Sequence, residues 1–166
     1  MIPFSPPRID QKVIDEVVDT LKSGWITTGP KTKEFERRLT AYCGNKATLA
    51  VNSNTVGLEV VLRWVGVQEG DEVIVPAYTY CATANVIVHC GAKPVMVEVN
   101  ADDFDVGLEK VREAITDKTK VIMPVDLGGM TCAYDELFAL VEAEDVKTLF
   151  QAKSEEQRKL GRILIL

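Results

Sequence analysis

The sequence has few of the residues that build metal or disulfide sites. Its 166 residues include one histidine, His89, and four cysteines, and no two cysteines form a CxxC pair. The cysteines are Cys43, Cys81, Cys90 and Cys132. A zinc site needs ligands clustered at short spacings, so this pattern predicts no metal centre. It favours reduced, buried thiols, and His89 is expected to be structural.

The chain also lacks an excess of basic residues, a long apolar run and a secretory signal. Its formal net charge is −6 at pH 7, whereas non-specific nucleic-acid binding needs a basic surface. No apolar run approaches the roughly 18 residues of a membrane span. The segment Met1–Asp10 lacks the basic start and apolar core of a signal peptide. We therefore expect a cytoplasmic protein that binds neither nucleic acid nor membrane.

No internal repeat or low-complexity linker interrupts the sequence, and its 46% apolar and 27% charged residues are typical of a globular protein. Three prolines in the segment 2–8 predict an extended arm. Apolar residues at helical spacing then predict a helix over 10–21, with Asp10 as its cap and Gly24 as its stop. A second helix is expected over about 31–43. Together these segments form a predicted N-terminal region, 1–46.

From residue 47 onwards, short apolar runs alternate with helical patterns. This succession predicts an α/β fold of three layers, a mostly parallel sheet with helices on both faces, over 47–166. The predicted strands are 48–51, 72–75, 94–99, 120–125 and 163–166. The predicted helices are 55–65, 83–89, 107–115 and one that starts at 135, and the polar stretch 145–159 is expected to be a surface loop or an exposed helix.

The last run, Ile163–Leu166, consists of four large aliphatic residues and predicts a strand buried on both faces. In an open α/β sheet such a strand leads into a loop where sites are built. Two interpretations are open: a small complete domain with an unusual last strand, or a sequence without the part that would come next.

The first candidate site is the strand–helix junction 51–57. A helix N-terminus presents unpaired N–H groups, so small polar side chains there suit a bound phosphate. The simpler alternative is capping of the helix by Ser53 or Thr55. The motif is neither a Walker loop nor GxGxxG, so it does not indicate ATP or a dinucleotide.

Three further segments are candidates. Tyr78 and Tyr80 follow a predicted strand and could stack on a planar ring, or simply pack on the next helix. Trp25, in the loop 24–30, could line a pocket or an interface, although a helix stop with a core-packing Trp is the simpler reading. The run 126–129 could line the same crevice or form an ordinary turn. The acidic pair Asp102-Asp103 is expected to be a solvated turn.

Taken together in this order, the motifs resemble the sugar aminotransferases of the DegT/DnrJ/EryC1/StrS family. These are pyridoxal-phosphate enzymes of the aspartate-aminotransferase fold, type I. The matching stretches are 23–30 with 35–36, 50–55, 70–76, 79–85, 91–95 and 115–120. The resemblance runs from about residue 2 to 137, and the final strand also fits. It implies that 47–166 is part of the large domain that binds the cofactor.

The resemblance implies roles for four residues. Asn54 and Thr55 would hold the cofactor phosphate, Tyr80 would stack on the pyridine ring, and Trp25 would lie near the substrate entrance and the partner subunit. Asn54 stands where the family usually has glycine. Asp126 stands where many members carry histidine, so substrate preference does not carry over.

The family also uses a Schiff-base lysine and an acid beside the pyridine nitrogen, which come after a strand like 163–166. No lysine of this chain matches the family's lysine motif. The chain is therefore expected to be the N-terminal part of a nucleotide-sugar aminotransferase that uses an amino acid such as glutamate. By itself it should be inactive, with weak or absent cofactor binding, and self-associating. The alternatives are a non-catalytic truncated paralogue that dimerises or binds a partner, and a fragment of a same-fold sugar dehydratase.

Overall fold

A computed structural model describes residues 5–166, so residues 2–4 of the predicted arm lie outside the described part of the chain. Residues 5–10 belong to no helix or strand. The contacts divide the chain into one unit that ends at Ala50 and a second that spans Val51–Leu166. Each unit is described by itself. The predicted domains 1–46 and 47–166 stay a prediction.

The first unit contains helices α1 (Gln11–Ser23) and α2 (Pro30–Cys43). The sequence predicts both helices, and the structure confirms them. The carboxylate of Asp10 accepts a hydrogen bond from the amide of Val13 at 3.2 Å, which caps α1. Gly24 ends the helix with φ = +74°, a left-handed conformation that glycine adopts without a steric penalty.

Helix α1 is amphipathic, yet none of its residues is buried. Its apolar side chains lie at helical spacing and therefore form one face. They are Val13, Ile14, Val17, Val18 and Leu21, with exposed fractions of 39–63%. An apolar face of this kind is normally covered in a soluble protein.

The second unit is built on a parallel four-stranded sheet in the order β2-β1-β3-β4. Its strands are β1 (Glu72–Pro76), β2 (Lys93–Val97), β3 (Thr119–Ile122) and β4 (Leu164–Ile165). Six helices belong to the unit: α3 (Asn54–Trp64), α4 (Cys81–His89), α5 (Leu108–Ala114), α6 (Tyr134–Glu142), α7 (Glu144–Leu149) and α8 (Glu155–Leu160). None of the helices within residues 5–166 has both the length and the apolar character needed to cross a membrane.

Both faces of the sheet are covered, as the sequence predicts for three layers. Val73 and Val75 pack in one core with residues of α3 and α4, whereas Ile74 between them packs in a second core with residues of α5 and α6. Neighbouring residues of a strand point to opposite faces, so one uninterrupted apolar strand supplies both cores. The α/β prediction is therefore confirmed.

Two predicted strands differ from the structure. The run 48–51 forms no strand, and Leu49 is exposed. The amide of Ala50 instead donates a hydrogen bond to the carboxylate of Glu36 at 3.0 Å, so a side chain takes the place of a neighbouring strand. The predicted last strand forms, beside β3, but it is half-buried rather than buried on both faces because its position in the sheet order is an edge.

A buried charge cluster lies where β1 and β3 begin. The carboxylate of Asp71 is fully buried and pairs with the ammonium of Lys153 at 2.6 Å. The side chain of Lys120 is also buried, and its ammonium donates to the carbonyl of Asp117 at 2.9 Å. Burial lowers the pKa of Lys120. This cluster ties the segment before α8 to the amino edge of the sheet.

Candidate functional site

The carboxyl edge of the sheet carries a cavity of about 840 Å³. The segments that follow β1 and β3 line it, together with the start of α3 and with Leu166 after β4. In an open parallel sheet, this edge is where ligands bind. The cavity volume lies within the range of about 300–1,000 Å³ that is typical of small-molecule sites.

The N-terminus of α3 is partly capped and partly open. The hydroxyl of Ser53 accepts a hydrogen bond from the amide of Val56 at 3.2 Å, and the carbonyl of Ser53 accepts one from Gly57 at 3.1 Å. Within residues 5–166, the amides of Asn54 and Thr55 donate to no acceptor. Ser53 is thus the predicted cap, and two N–H groups remain for an anion.

The two tyrosines after β1 behave differently. The ring of Tyr78 packs against Phe104, with 5.5 Å between the ring centroids. Tyr80 is 79% exposed and lines the cavity, so simple packing on the next helix does not describe it. A hydrogen bond of 2.9 Å joins the hydroxyls of Thr79 and Thr83 and restrains the turn that contains Tyr80. An exposed ring in a cavity is free to stack on a planar ligand.

Asp126 also lines the cavity, which favours the crevice interpretation of 126–129 over an ordinary turn. Its Oδ1 atom accepts two hydrogen bonds, from the amide of Cys132 at 3.0 Å and from the hydroxyl of Tyr134 at 3.1 Å. The amide hydrogen bond is the main reason why the pKa of Asp126 is lowered. Burial, with the adjacent carboxylate, raises the pKa of Tyr134 to about 12.

Sequence reasoning missed Tyr134. It begins α6, whose start was expected one residue later, and nothing local in the sequence marks its hydroxyl as a partner of Asp126. Its hydrogen bond closes a loop of seven intervening residues that includes a 3₁₀ turn at Leu127–Gly129. The pair therefore fixes how Asp126 is presented to the cavity.

Trp25 lies in the first unit and is held by its own loop. Its indole Nε1 donates to the carbonyl of Thr28 at 3.0 Å. A Cβ atom on Gly29 would lie 2.2 Å from that nitrogen, so only glycine allows the ring to lie this close to the backbone. Trp25 is 57% exposed, and the alternative of a core-packing Trp is therefore wrong. Its role at a substrate entrance stays a prediction.

The other titratable candidates lie away from the cavity. His89 on α4 is a structural partner, because its Nδ1 lies 3.0 Å from the carboxylate of Glu59 on α3. Asp102 and Asp103 are exposed in a turn, as expected. Across residues 5–166, no group of three histidine, cysteine or acidic side chains is arranged to hold a metal ion.

The residues at the cavity fit the phosphate and the ring of pyridoxal phosphate. Asn54, which lines the cavity, and the next residue Thr55 offer two open amides at the positive end of a helix dipole, where an anion is favoured. Tyr80 offers an exposed aromatic face in the same cavity. The arrangement can bind and orient such a group.

Comparison with known proteins finds a family and several relatives that match this chain. The DegT/DnrJ/EryC1/StrS aminotransferase family matches residues 7–153. Solved structures of a putative sugar aminotransferase, Spr1654 from Streptococcus pneumoniae, in PMP and PLP forms, are 54% identical to this chain with a TM-score of 0.94. The match covers 99% of this chain and 41% of the Spr1654 chain.

Two curated relatives match over similar spans. The spore coat polysaccharide biosynthesis protein SpsC of Bacillus subtilis is 36% identical over 98% of this chain and 43% of its own length. The uncharacterized protein MJ1066 of Methanocaldococcus jannaschii is 41% identical over 91% of this chain and 39% of its own. The chain thus spans less than half the length of these relatives.

Proposed function

Because the chain belongs to the DegT/DnrJ/EryC1/StrS aminotransferase family, we propose that it supplies the cofactor-phosphate site of a pyridoxal-phosphate-dependent nucleotide-sugar aminotransferase. One observation carries the proposal. A single cavity at the carboxyl edge of the sheet is lined both by Asn54, at the open start of α3, and by the exposed ring of Tyr80.

The proposed phosphate contacts are local to the start of α3. The amides of Asn54 and Thr55 point out of the first helical turn, and the helix dipole adds a partial positive charge there. The side chains of both residues can donate further hydrogen bonds to phosphate oxygens. No cationic side chain within residues 5–166 lines this cavity, so these dipoles and polar groups carry the phosphate binding.

Tyr80 is proposed to cover one face of the cofactor ring. The Thr79–Thr83 hydrogen bond restrains the turn that carries Tyr80, and the exposed ring is free to lie on a ligand in the cavity. When bound, pyridoxal 5′-phosphate supplies the carbonyl group and the electron sink for amino transfer. The chain's own residues orient it by holding its phosphate and excluding water from one face of its ring.

The whole enzyme is proposed to pass an amino group from an amino acid such as glutamate to a keto sugar on a nucleotide carrier. The 166 residues alone are proposed to bind cofactor weakly and to catalyse no turnover, because no lysine among them matches the family's lysine motif. The test supplies this chain with keto sugar, glutamate and cofactor. Turnover, or a cofactor–lysine adduct after borohydride reduction, would refute this part of the proposal.

We also propose that the chain self-associates, as a homodimer or a higher assembly. The support is the aliphatic face of α1, where five side chains are 39–63% exposed. Covering such a face from water is favourable by about 25 cal/mol per Å² of apolar area. A second copy of the chain offers the same face.

The cofactor proposal is tested with pyridoxamine 5′-phosphate, which has no aldehyde and so cannot react with surface lysines. Adding the chain should broaden and shift the ³¹P signal of the ligand. Asn54→Asp preserves the side-chain shape and suits a helix start, but its charge repels phosphate. It should weaken binding about tenfold or more.

Asn85→Asp is the matched control, since it adds the same charge to an exposed position of α4 outside the cavity. It should leave the ³¹P signal as in the wild type. Equal effects of the two substitutions, or a wild-type chain that leaves the signal unchanged, would overturn the phosphate site.

A further inference from the structure

Asp126 is the one charged side chain that lines the cavity within residues 5–166. The other lining residues are apolar, amide, hydroxyl or phenol side chains and one glycine. A cavity that is expected to hold an anionic phosphate therefore has a carboxylate in its wall. The charge needs an explanation, because like charges in one cavity repel.

The two oxygens of this carboxylate differ. Oδ1 accepts from the Cys132 amide and from the Tyr134 hydroxyl, which fixes the plane of the group. Oδ2 accepts from no amide, ammonium or hydroxyl donor within the described residues, although the thiol of Cys132, a weak donor, lies near the carboxylate, and the residue is exposed. A fixed, charged acceptor with one open oxygen can bind a ligand that carries a donor.

The donor can be a hydroxyl or an ammonium group, and the lining of the cavity favours the hydroxyl. The ammonium of an amino acid comes with its own carboxylate two bonds away. No cationic side chain of residues 5–166 lines the cavity to pair with that carboxylate. A sugar hydroxyl brings no such charge.

We propose that Oδ2 of Asp126 accepts a hydrogen bond from a hydroxyl group of the sugar substrate, and that Tyr134 is the positioning residue that presents it. The inference rests on the proposed sugar aminotransferase function and assigns the sugar side of the cavity to Asp126. The phosphate of the cofactor then lies at a different part of the cavity, where the amides at the start of α3 are the hydrogen-bond donors.

The test measures the dissociation constant of UDP-glucose, used as a hydroxyl-rich probe, for this chain by NMR titration. Asp126→Asn keeps the side-chain shape. Its amide oxygen must face the two donors, so its NH₂ group faces the cavity in place of an acceptor. The proposal predicts binding weaker by about tenfold.

The direction of the change is diagnostic. If Asp126 only lay near the ligand, removal of its negative charge would strengthen binding of the anionic UDP-glucose. Stronger or unchanged binding by Asp126→Asn, or no binding by the wild-type chain, overturns the proposal. Asp135→Asn, an exposed residue of α6 outside the cavity, is the matched control and should bind as the wild type does.

Two further measurements separate the possible outcomes. Tyr134→Phe keeps the carboxylate but removes one donor to Oδ1, and it should weaken UDP-glucose binding by a smaller factor; this variant decides the question if Asp126→Asn does not fold. The second measurement titrates wild type and Asp126→Asn with glutamate. If the wild type binds glutamate and the variant does not, Asp126 binds the ammonium group of the amino acid, which contradicts the proposal. Failure of pyridoxamine phosphate to bind would refute the cofactor proposal, whereas the UDP-glucose measurement still decides the role of Asp126.

Discussion

The hydroxyl of Tyr134 donates a hydrogen bond to Oδ1 of Asp126 across 3.1 Å, and this contact joins the start of α6 to the segment after β3. The hydrogen bond from the Cys132 amide lowers the pKa of this carboxylate below its usual value. The tyrosine stays protonated well above the usual range because it is partly buried beside that carboxylate. The two residues form a preorganised acceptor in the cavity wall.

The first prediction concerns the titration of Tyr134. Its pKa rises from the usual 10.0 to about 12 in the folded chain. A raised pKa means that the folded state holds the proton more tightly, so the resulting stability is fully present below pH 10 and is lost as the pH rises through about 12. The difference in tyrosinate absorbance between wild type and Tyr134→Phe should show one phenol with this pKa; a difference titration centred near pH 10 would contradict the contact.

The second prediction concerns the buried pair of Asp71 and Lys153. Lys153→Met leaves the fully buried carboxylate without its partner at 2.6 Å. Breaking a buried pair costs about 3–5 kcal/mol, but Lys153 is 39% exposed, so we expect about 2 kcal/mol. Urea unfolding measures the loss. Lys159→Met, which breaks an exposed pair with Glu155, should cost less than about 1 kcal/mol; equal losses would count against the cluster.

The third prediction separates capping from phosphate binding. Ser53→Ala removes the hydroxyl that caps the Val56 amide and should lower the free energy of unfolding by about 1 kcal/mol. The amides of Asn54 and Thr55 stay in place, so pyridoxamine phosphate should still bind. Thermal unfolding and the ³¹P signal are measured on the same sample. Loss of ligand binding by a variant that remains folded would show that Ser53, rather than the two amides, holds the phosphate.

The fourth prediction concerns self-association through α1. Val17 is 54% exposed in the centre of the apolar face, so Val17→Lys should lower the weight-average mass measured by light scattering at micromolar concentration. Asp15→Asn changes the net charge by the same +1 at an exposed position of α1, two residues from Val17 and therefore on the other side of the helix, and should leave the mass unchanged. A monomeric wild-type chain, or no difference between the variants, would exclude this surface.

Much of the fold could be predicted because its signals are local. Asp10 and Gly24 mark the ends of α1 through short-range hydrogen bonds and a left-handed backbone, and both are readable as residue types. The alternation of apolar strands and helices is likewise a property of neighbouring residues. The predicted helix and strand bounds therefore differ from the structure mostly by one to three residues.

The remainder depends on partners that are distant in sequence. The run 48–51 has the composition of a strand, but the Ala50 amide finds the Glu36 carboxylate instead of a neighbouring strand. Lys120 lies in a predicted strand, yet its burial follows from packing against distant segments. The candidate site shows the same division: the start of α3 and Tyr80 could be selected from sequence, whereas the Asp126–Tyr134 contact could not.

The most direct test of the central claim, that the start of α3 holds the cofactor phosphate, is residue-resolved. The amide signals of the ¹⁵N-labelled chain are followed while pyridoxamine 5′-phosphate is added. We predict that the amides of Asn54 and Thr55 shift most, because they would donate to the phosphate, and that Asn54→Asp abolishes these shifts. Shifts confined to other regions, or none at Asn54 and Thr55, would contradict the account.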